Sequence, residues 1–294
     1  MNEYANAHCL ASKEIAAVFR RYFSDWRQKK ISSLTKSDSQ RKINEIGSDH
    51  GHTAANHALT YARAAINWCI KNKITTCDNP FSATTRFKTQ PRERFLRPEE
   101  LEGFFAALKQ LPNESGIRDY IYLSLLTGAR QANVLAMRWE QLDLKLGIWT
   151  IPRTKSGDSQ TLPLTQSALI VLMERDRENR ARRKSGEGSE WVFPGKGATG
   201  HLVEPKKGWY SLLETAQLAD LRMHDLRRTL GSYMAIGNQS LHVIGKVLGH
   251  KSQAATQIYS RLTYDPLRQA MEKAEADMLQ AAGLLKPQDD IDKK

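Results

Sequence analysis

Apolar residues recur at helical spacing through most of the 294-residue chain. In residues 12–29, Ile15, Val18, Phe19, Tyr22 and Phe23 fall on one stripe and predict an amphipathic helix. Residues 53–72 repeat the pattern through Ala58, Ala62, Ile66, Cys69 and Ile70, and Asp78-Asn79-Pro80 closes that block as a turn. Residues 82–97 are polar and basic, keep no sustained period, and read as a linker. Pro98 then opens a helix with Glu99 and Glu100 in its first turn, where the dipole favours acids, and with Leu101, Phe104, Phe105 and Leu108 on its buried face. Residues 117–126 predict a strongly apolar helix. The period changes at 147–152 (GIWTIP) and 160–164 (QTLPL), which read as two short strands joined by a turn over 154–158. Helical spacing returns over 166–183, 205–217, 224–236, 240–249, 252–262 and 265–282.

This pattern predicts a mainly α protein. A small helical domain covers 1–85, a basic linker 86–97, a mostly helical domain with one small β-sheet 98–282, and a tail 283–294. No run approaches the roughly 20 apolar residues that span a bilayer. The opening MNEYANAHCLASKE lacks the basic start and apolar run of a secretory signal. Three cysteines, Cys9, Cys69 and Cys77, are odd in number and lack metal-type pairing, which excludes a disulfide scaffold and fits a reducing, cytoplasmic compartment. The histidines of Asp49-His50-Gly51-His52, with His57 nearby, match no common zinc spacing, so no metal or other cofactor is expected. Charge adds a partner. Forty-four Lys and Arg against 32 Asp and Glu leave a net charge of +12. Residues 1–90 hold 14 basic and 7 acidic residues, so +7 of that excess lies in the first third. Such an excess points to a polyanion, most often nucleic acid.

Four motifs could carry chemistry. His224-Asp-Leu-Arg227 places a His and an Arg on one helix face, a compact donor cluster suited to phosphate oxygens. Leu248-Gly249-His250 precedes Tyr259. On one unbroken helix, His250 and Tyr259 would face opposite ways, about 13 Å apart along the axis. A helix end at Gly249 and a new start capped by Ser252 would let them converge. Leu126-Thr-Gly-Ala-Arg130 sets an Arg at a helix start after a glycine turn, a good anion site. Lys155 lies at the tip of the strand pair. Each motif alone also has an ordinary reading: solvated surface side chains for His224 with Arg227, for Arg130 and for Lys155, and a buried structural tyrosine for Tyr259.

In this order the motifs resemble the tyrosine recombinase (phage integrase) family. That family carries an Arg in a TGxR turn, a Lys on a β-turn, an H-x-x-R helix, a His or Trp after LG, and a Tyr nucleophile about nine residues later. The matching positions are Arg130, Lys155, His224, Arg227, His250 and Tyr259. The surroundings FLRPEEL, LAMRWEQLDL, VFPG and HDLRRT also look similar, so the resemblance covers roughly 95–282. A weaker one joins residues 10–85 to the helical core-binding domain of prophage and genomic-island integrases.

The resemblance implies a site-specific recombinase that cuts and rejoins DNA through a 3′-phosphotyrosyl link, without ATP or metal. It implies that Arg130, Arg227 and His250 hold the phosphate, Tyr259 attacks, and Lys155 protonates the leaving 5′-oxygen. His224 is either the base or a further phosphate donor. The implied partners are double-stranded DNA attachment sites and three further copies in a homotetramer, with accessory DNA-bending proteins possible. The helix at 265–282 would dock on a neighbouring copy through Leu267, Met271, Ala274 and Met278. Three alternatives stay open: a catalytically silent DNA-binding remnant of an integrase, a type IB topoisomerase, and Tyr264 in place of Tyr259 as nucleophile. The family often has an acid three residues after its first Arg, and this chain has Asn133. The segment ahead of the first helix is also too short for the arm-binding domain many integrases carry.

Overall fold

A computed structural model describes residues 12–112, 116–152 and 159–284. It divides into two units at Pro91/Arg92. The first holds α1 (Ser12–Tyr22), α2 (Lys36–His50) and α3 (His52–Lys71), with short 3₁₀ turns at Ser24–Trp26 and Ile31–Ser33. The second holds α4 (Pro98–Gln110), α5 (Ile117–Thr127), α6 (Gln131–Leu135), α7 (Gln166–Lys184), α8 (Lys206–Thr215), α9 (Met223–Ile236), α10 (Leu241–Leu248), α11 (Gln253–Thr256) and α12 (Tyr264–Ala281). Its antiparallel sheet has order β1-β2-β3: β1 (Leu142–Asp143), β2 (Ile148–Ile151) and β3 (Gln160–Pro163). The fold is therefore mainly α with one small sheet, as the hydrophobic periods predict. Among the described residues, no helix is long and apolar enough to cross a membrane.

Away from the site, three elements depart from the sequence reading. The helix expected over 12–29 stops at Tyr22, and Phe23 turns into the core to meet Phe81 edge-on. Helix α2 carries too thin an apolar stripe to announce itself; its buried face is Ser39, Lys42, Ile43, Ile46 and Gly47. Its start was legible in Thr35-x-x-Asp38, whose two side chains cap reciprocally. Gly47 is small because Phe87 lies on it: a Cβ there would meet the ring at 2.5 Å. The two-residue strand β1 was too short to leave a period.

The segment expected as a linker is pinned at both ends, each within its own unit. In the first unit, the Asn56 amide brackets the backbone of Phe87, donating to its carbonyl (2.9 Å) and accepting from its N–H (3.0 Å). In the second, Leu96 is fully buried and its N–H donates to Thr229 Oγ1. The clustered histidines serve packing: His52 stacks on Phe87 at 4.3 Å, and His50 lies beside Tyr22. Among the described residues, no group of three or more His, Cys, Asp or Glu is placed to hold a metal ion.

The core of the second unit gathers Phe104, Tyr120, Leu123, Trp149 and Phe193 from helices and sheet alike. Arg175 threads this core as a staple. It donates to Asp119 (3.0 Å) and twice to the Val192 carbonyl, and its guanidinium lies over Phe193. Gly116 (φ +72°) gives it room, since a Cβ there would meet the guanidinium at 2.8 Å. Leu123 is fully buried in α5, directly before the Gly128 turn. We expect Leu123→Ala to lower the unfolding free energy by about 2–5 kcal/mol in urea denaturation, whereas truncating exposed Leu146 leaves it nearly unchanged.

Candidate active site

Two glycines with left-handed backbones build the site. Gly128 (φ +59°) ends α5, and Gly249 (φ +61°) ends α10. Each is also squeezed. A Cβ on Gly128 would meet Leu230 and Leu248 at 2.8–2.9 Å, and one on Gly249 would meet Gln160 at 2.3 Å. Both turns aim backbone carbonyls at the same place, and two guanidinium groups collect there. Arg227 donates to Gly128 O at 2.7 Å and to Leu248 O. Arg130 donates to Gly249 O at 3.0 Å. Negative ends of peptide dipoles thus steady two neighbouring cations.

The arrangement is electrostatically tight. Burial, with Arg130 beside it, pulls the Arg227 pKa down to about 10. Burial also lowers the His250 pKa to about 4, and Arg227, Arg130 and His224 push the same way. His224 is lowered by burial and by Arg227. Arg130, His224, Arg227 and His250 therefore share one field, and the two imidazoles are neutral at pH 7. Nη1 of Arg130 is buried without a hydrogen-bond partner. Asn133 Nδ2 is buried without one as well, and no charge stands where an acid is common in the resembling family.

His250 is oriented by Thr256, whose hydroxyl lies 2.9 Å from Nδ1. The helix expected over 252–262 is instead one α-helical turn, α11, followed by a 3₁₀ segment over Gln257–Thr263. With three residues per turn, Thr256 and Tyr259 share a face, and both are buried. The chain breaks after Gly249, with Ser252 at the α11 N-cap position, so His250 and Tyr259 do not lie on one helix. Tyr259 packs with Ala235, Ile244 and Leu248. Its ring sits on Gly231 of α9, where a Cβ would come within 2.5 Å of Cζ. Burial raises the phenol's pKa, while Arg227 and Arg228 pull it back. Arg228, next to Arg227, donates to the Arg92 carbonyl.

Lys155 lies outside the described residues, as does the tip that carries it. The strand leading from that tip reaches the site, since Gln160 donates to Val247 O at 3.1 Å. Sequence reasoning missed Gln160 and Gly231, and read Thr256 only as context for Tyr259, not as a partner of His250. Only Thr256 left a signal, three residues before Tyr259.

Residues 94–265 match the phage integrase family, and the chain belongs to it. It is 29% identical to prophage integrase IntF of Escherichia coli K12 over 192 residues, 64% of this chain and 40% of that protein. It is 27% identical to tyrosine recombinase XerA of Pyrococcus furiosus over 191 residues, 64% of this chain and 63% of that protein. Its match thus spans less than two thirds of either relative. The XerH site-specific recombinase bound to a palindromic difH substrate has the same fold, with a TM-score of 0.71 at 17% identity, covering 92% of this chain and 81% of that one.

A histidine whose folded pKa lies below its unfolded value stabilises the fold fully above the unfolded pKa. That contribution is lost as pH falls, because the unfolded chain takes up the proton first. For His250 the window runs from 6.5 down to about 4. We expect urea-denaturation midpoints to fall across that window, and His250→Gln to flatten the slope. An unchanged slope would show that His250 is not held neutral by its surroundings.

Proposed function

We propose that this chain is a site-specific DNA recombinase of the integrase type. The observation that carries the reading is the paired guanidinium site: Arg130 and Arg227 lie in one partly desolvated field, and Arg130 keeps a buried donor without a partner. Two cations with spare donor capacity call for an anion. A phosphodiester supplies one, and its charge on the non-bridging oxygens grows during displacement.

In this reading Arg130, Arg227 and His250 bind those oxygens. This requires the Thr256 hydroxyl, 2.9 Å from Nδ1, to donate there, so that the neutral His250 ring carries its proton on Nε2 and can donate it. Tyr259 Oη attacks phosphorus, a 3′-phosphotyrosyl bond forms, and the bond to the 5′-oxygen breaks. The phenol's proton leaves to a base, and neutral His224 can accept it or serve as a further phosphate donor. Lys155 returns a proton to the departing 5′-oxygen. The link conserves the phosphodiester's energy, so a second 5′-hydroxyl reverses it without ATP, and the cationic side chains take the place of a metal. The substrate is duplex DNA carrying attachment sites. The first unit contributes grip through its basic excess, and four copies act together. Met271 and Met278 support such assembly, being 72% and 66% exposed on α12. The Leu267 and Tyr264 side chains lie outside those described.

A nicked suicide duplex tests the reading. We expect the wild-type chain to form a covalent adduct and Tyr259→Phe to form none while still shifting DNA. An adduct in Tyr259→Phe would move the nucleophile elsewhere, and a shift with no wild-type adduct would leave only a DNA-binding remnant. Arg130→Ala should slow adduct formation by about 10²–10³-fold. Binding should also weaken steeply between about 50 and 200 mM salt.

A further inference from the structure

The residues that open the second unit make contacts beyond those a connector needs. Arg92 is the centre. Its Nε and Nη2 donate to the Asp225 carboxylate at 2.8–3.2 Å, its Nη1 to the Asp220 carboxylate at 2.9 Å, and its Nη2 also to the Asp220 carbonyl. Asp225 is 1% exposed and lies between His224 and Arg227 on the first turns of α9. Its carboxylate also caps that helix, accepting from the Arg222 N–H at 2.8 Å. The Arg92 carbonyl accepts from Arg228, and Leu96 N–H donates to Thr229. The segment therefore runs along the face of α9 adjoining its two site residues. One residue on, Glu93 pairs with Arg261, two residues beyond Tyr259.

We infer that residues 92–96 form a positioning strap, in which Arg92 sets helix α9, and with it His224 and Arg227, while Glu93 sets the Tyr259 segment against it. Neither residue touches the reacting atoms. Both act through groups that do, and this assignment rests on the recombinase reading above. The two contacts divide the work. Arg92 fixes the phosphate-binding side through a buried carboxylate, and Glu93 fixes the nucleophile side through a more exposed pair, 52% and 41% exposed at its two side chains. A surface pair of that kind contributes little to stability. It can still matter to rate, because the attacking oxygen must be aligned to a fraction of an ångström.

The test uses the full chain on a nicked suicide duplex, with single-turnover cleavage, DNA affinity and amide exchange read separately. Arg92→Ala would strand a buried carboxylate, so the informative variant is Arg92→Met with Asp225→Asn, which keeps the cap acceptor and removes both charges. We expect it to cleave about 10- to 100-fold more slowly, with DNA affinity within about threefold and faster exchange at residues 222–229. Glu93→Arg and Arg261→Glu should each slow cleavage about tenfold and speed exchange at 257–261, and the two together should restore both readouts. Wild-type cleavage in the single variants, or no restoration in the swap, would overturn the strap. If the wild-type chain forms no adduct, the recombinase reading fails, and the exchange data alone decide whether the strap sets these segments.

Discussion

Two like charges held side by side, one buried and one half-buried, organise the second unit. Arg130 and Arg227 would repel each other and lose hydration if nothing opposed them, and the low pKa of Arg227 is the trace of that tension. What opposes them is peptide carbonyl, from Gly128, Leu248 and Gly249. Those carbonyls point inward because two helices end in left-handed glycines, a conformation other residues adopt only at a cost. The carbonyls satisfy part of the guanidinium capacity and leave the rest. A site built in this way is stable when empty and still short of negative charge.

The surrounding packing keeps that balance fixed. Helix α9 carries Arg227 and His224 on one face, Gly231 beneath the Tyr259 ring, and Asp225 under Arg92. One helix thus meets the guanidinium cluster, the Tyr259 ring and the entry of the chain. The sheet meets the site from the other side through Gln160, whose amide sits where a side chain on Gly249 would have to go. Small changes at these contacts move Arg227, His224 or Tyr259 rather than solvent-exposed loops. Burial first, and then the same cations, lower the pKa of both imidazoles.

Much of this was legible in the chain. The long helices announced themselves through dense apolar stripes, as at Tyr120, Ile121 and Leu125 of α5, because burial of one face dictates a 3.6-residue period. The body of helix α2 left no apolar period because Lys42, Ser39 and Gly47 line its inner face, and the partners that make those residues acceptable there are distant in sequence: Asp25 for the lysine and Phe87 for the glycine. The 3₁₀ turn at Tyr259 was hidden for a similar reason, since local residues are compatible with either winding and packing on Gly231 selects one.

By itself the sequence determined the helical class, the hairpin, the glycine breaks at 128 and 249, and the order of the chemistry-bearing residues, since these rest on local conformational preference and on motif spacing. Only the tertiary structure decided that Arg130, His224, Arg227 and His250 share one field, that Thr256 orients His250, and that Arg92 and Glu93 grip the two sides of the site. Those are contacts between segments up to 168 residues apart. Their energies depend on burial and distance, and a linear chain carries neither until it has folded.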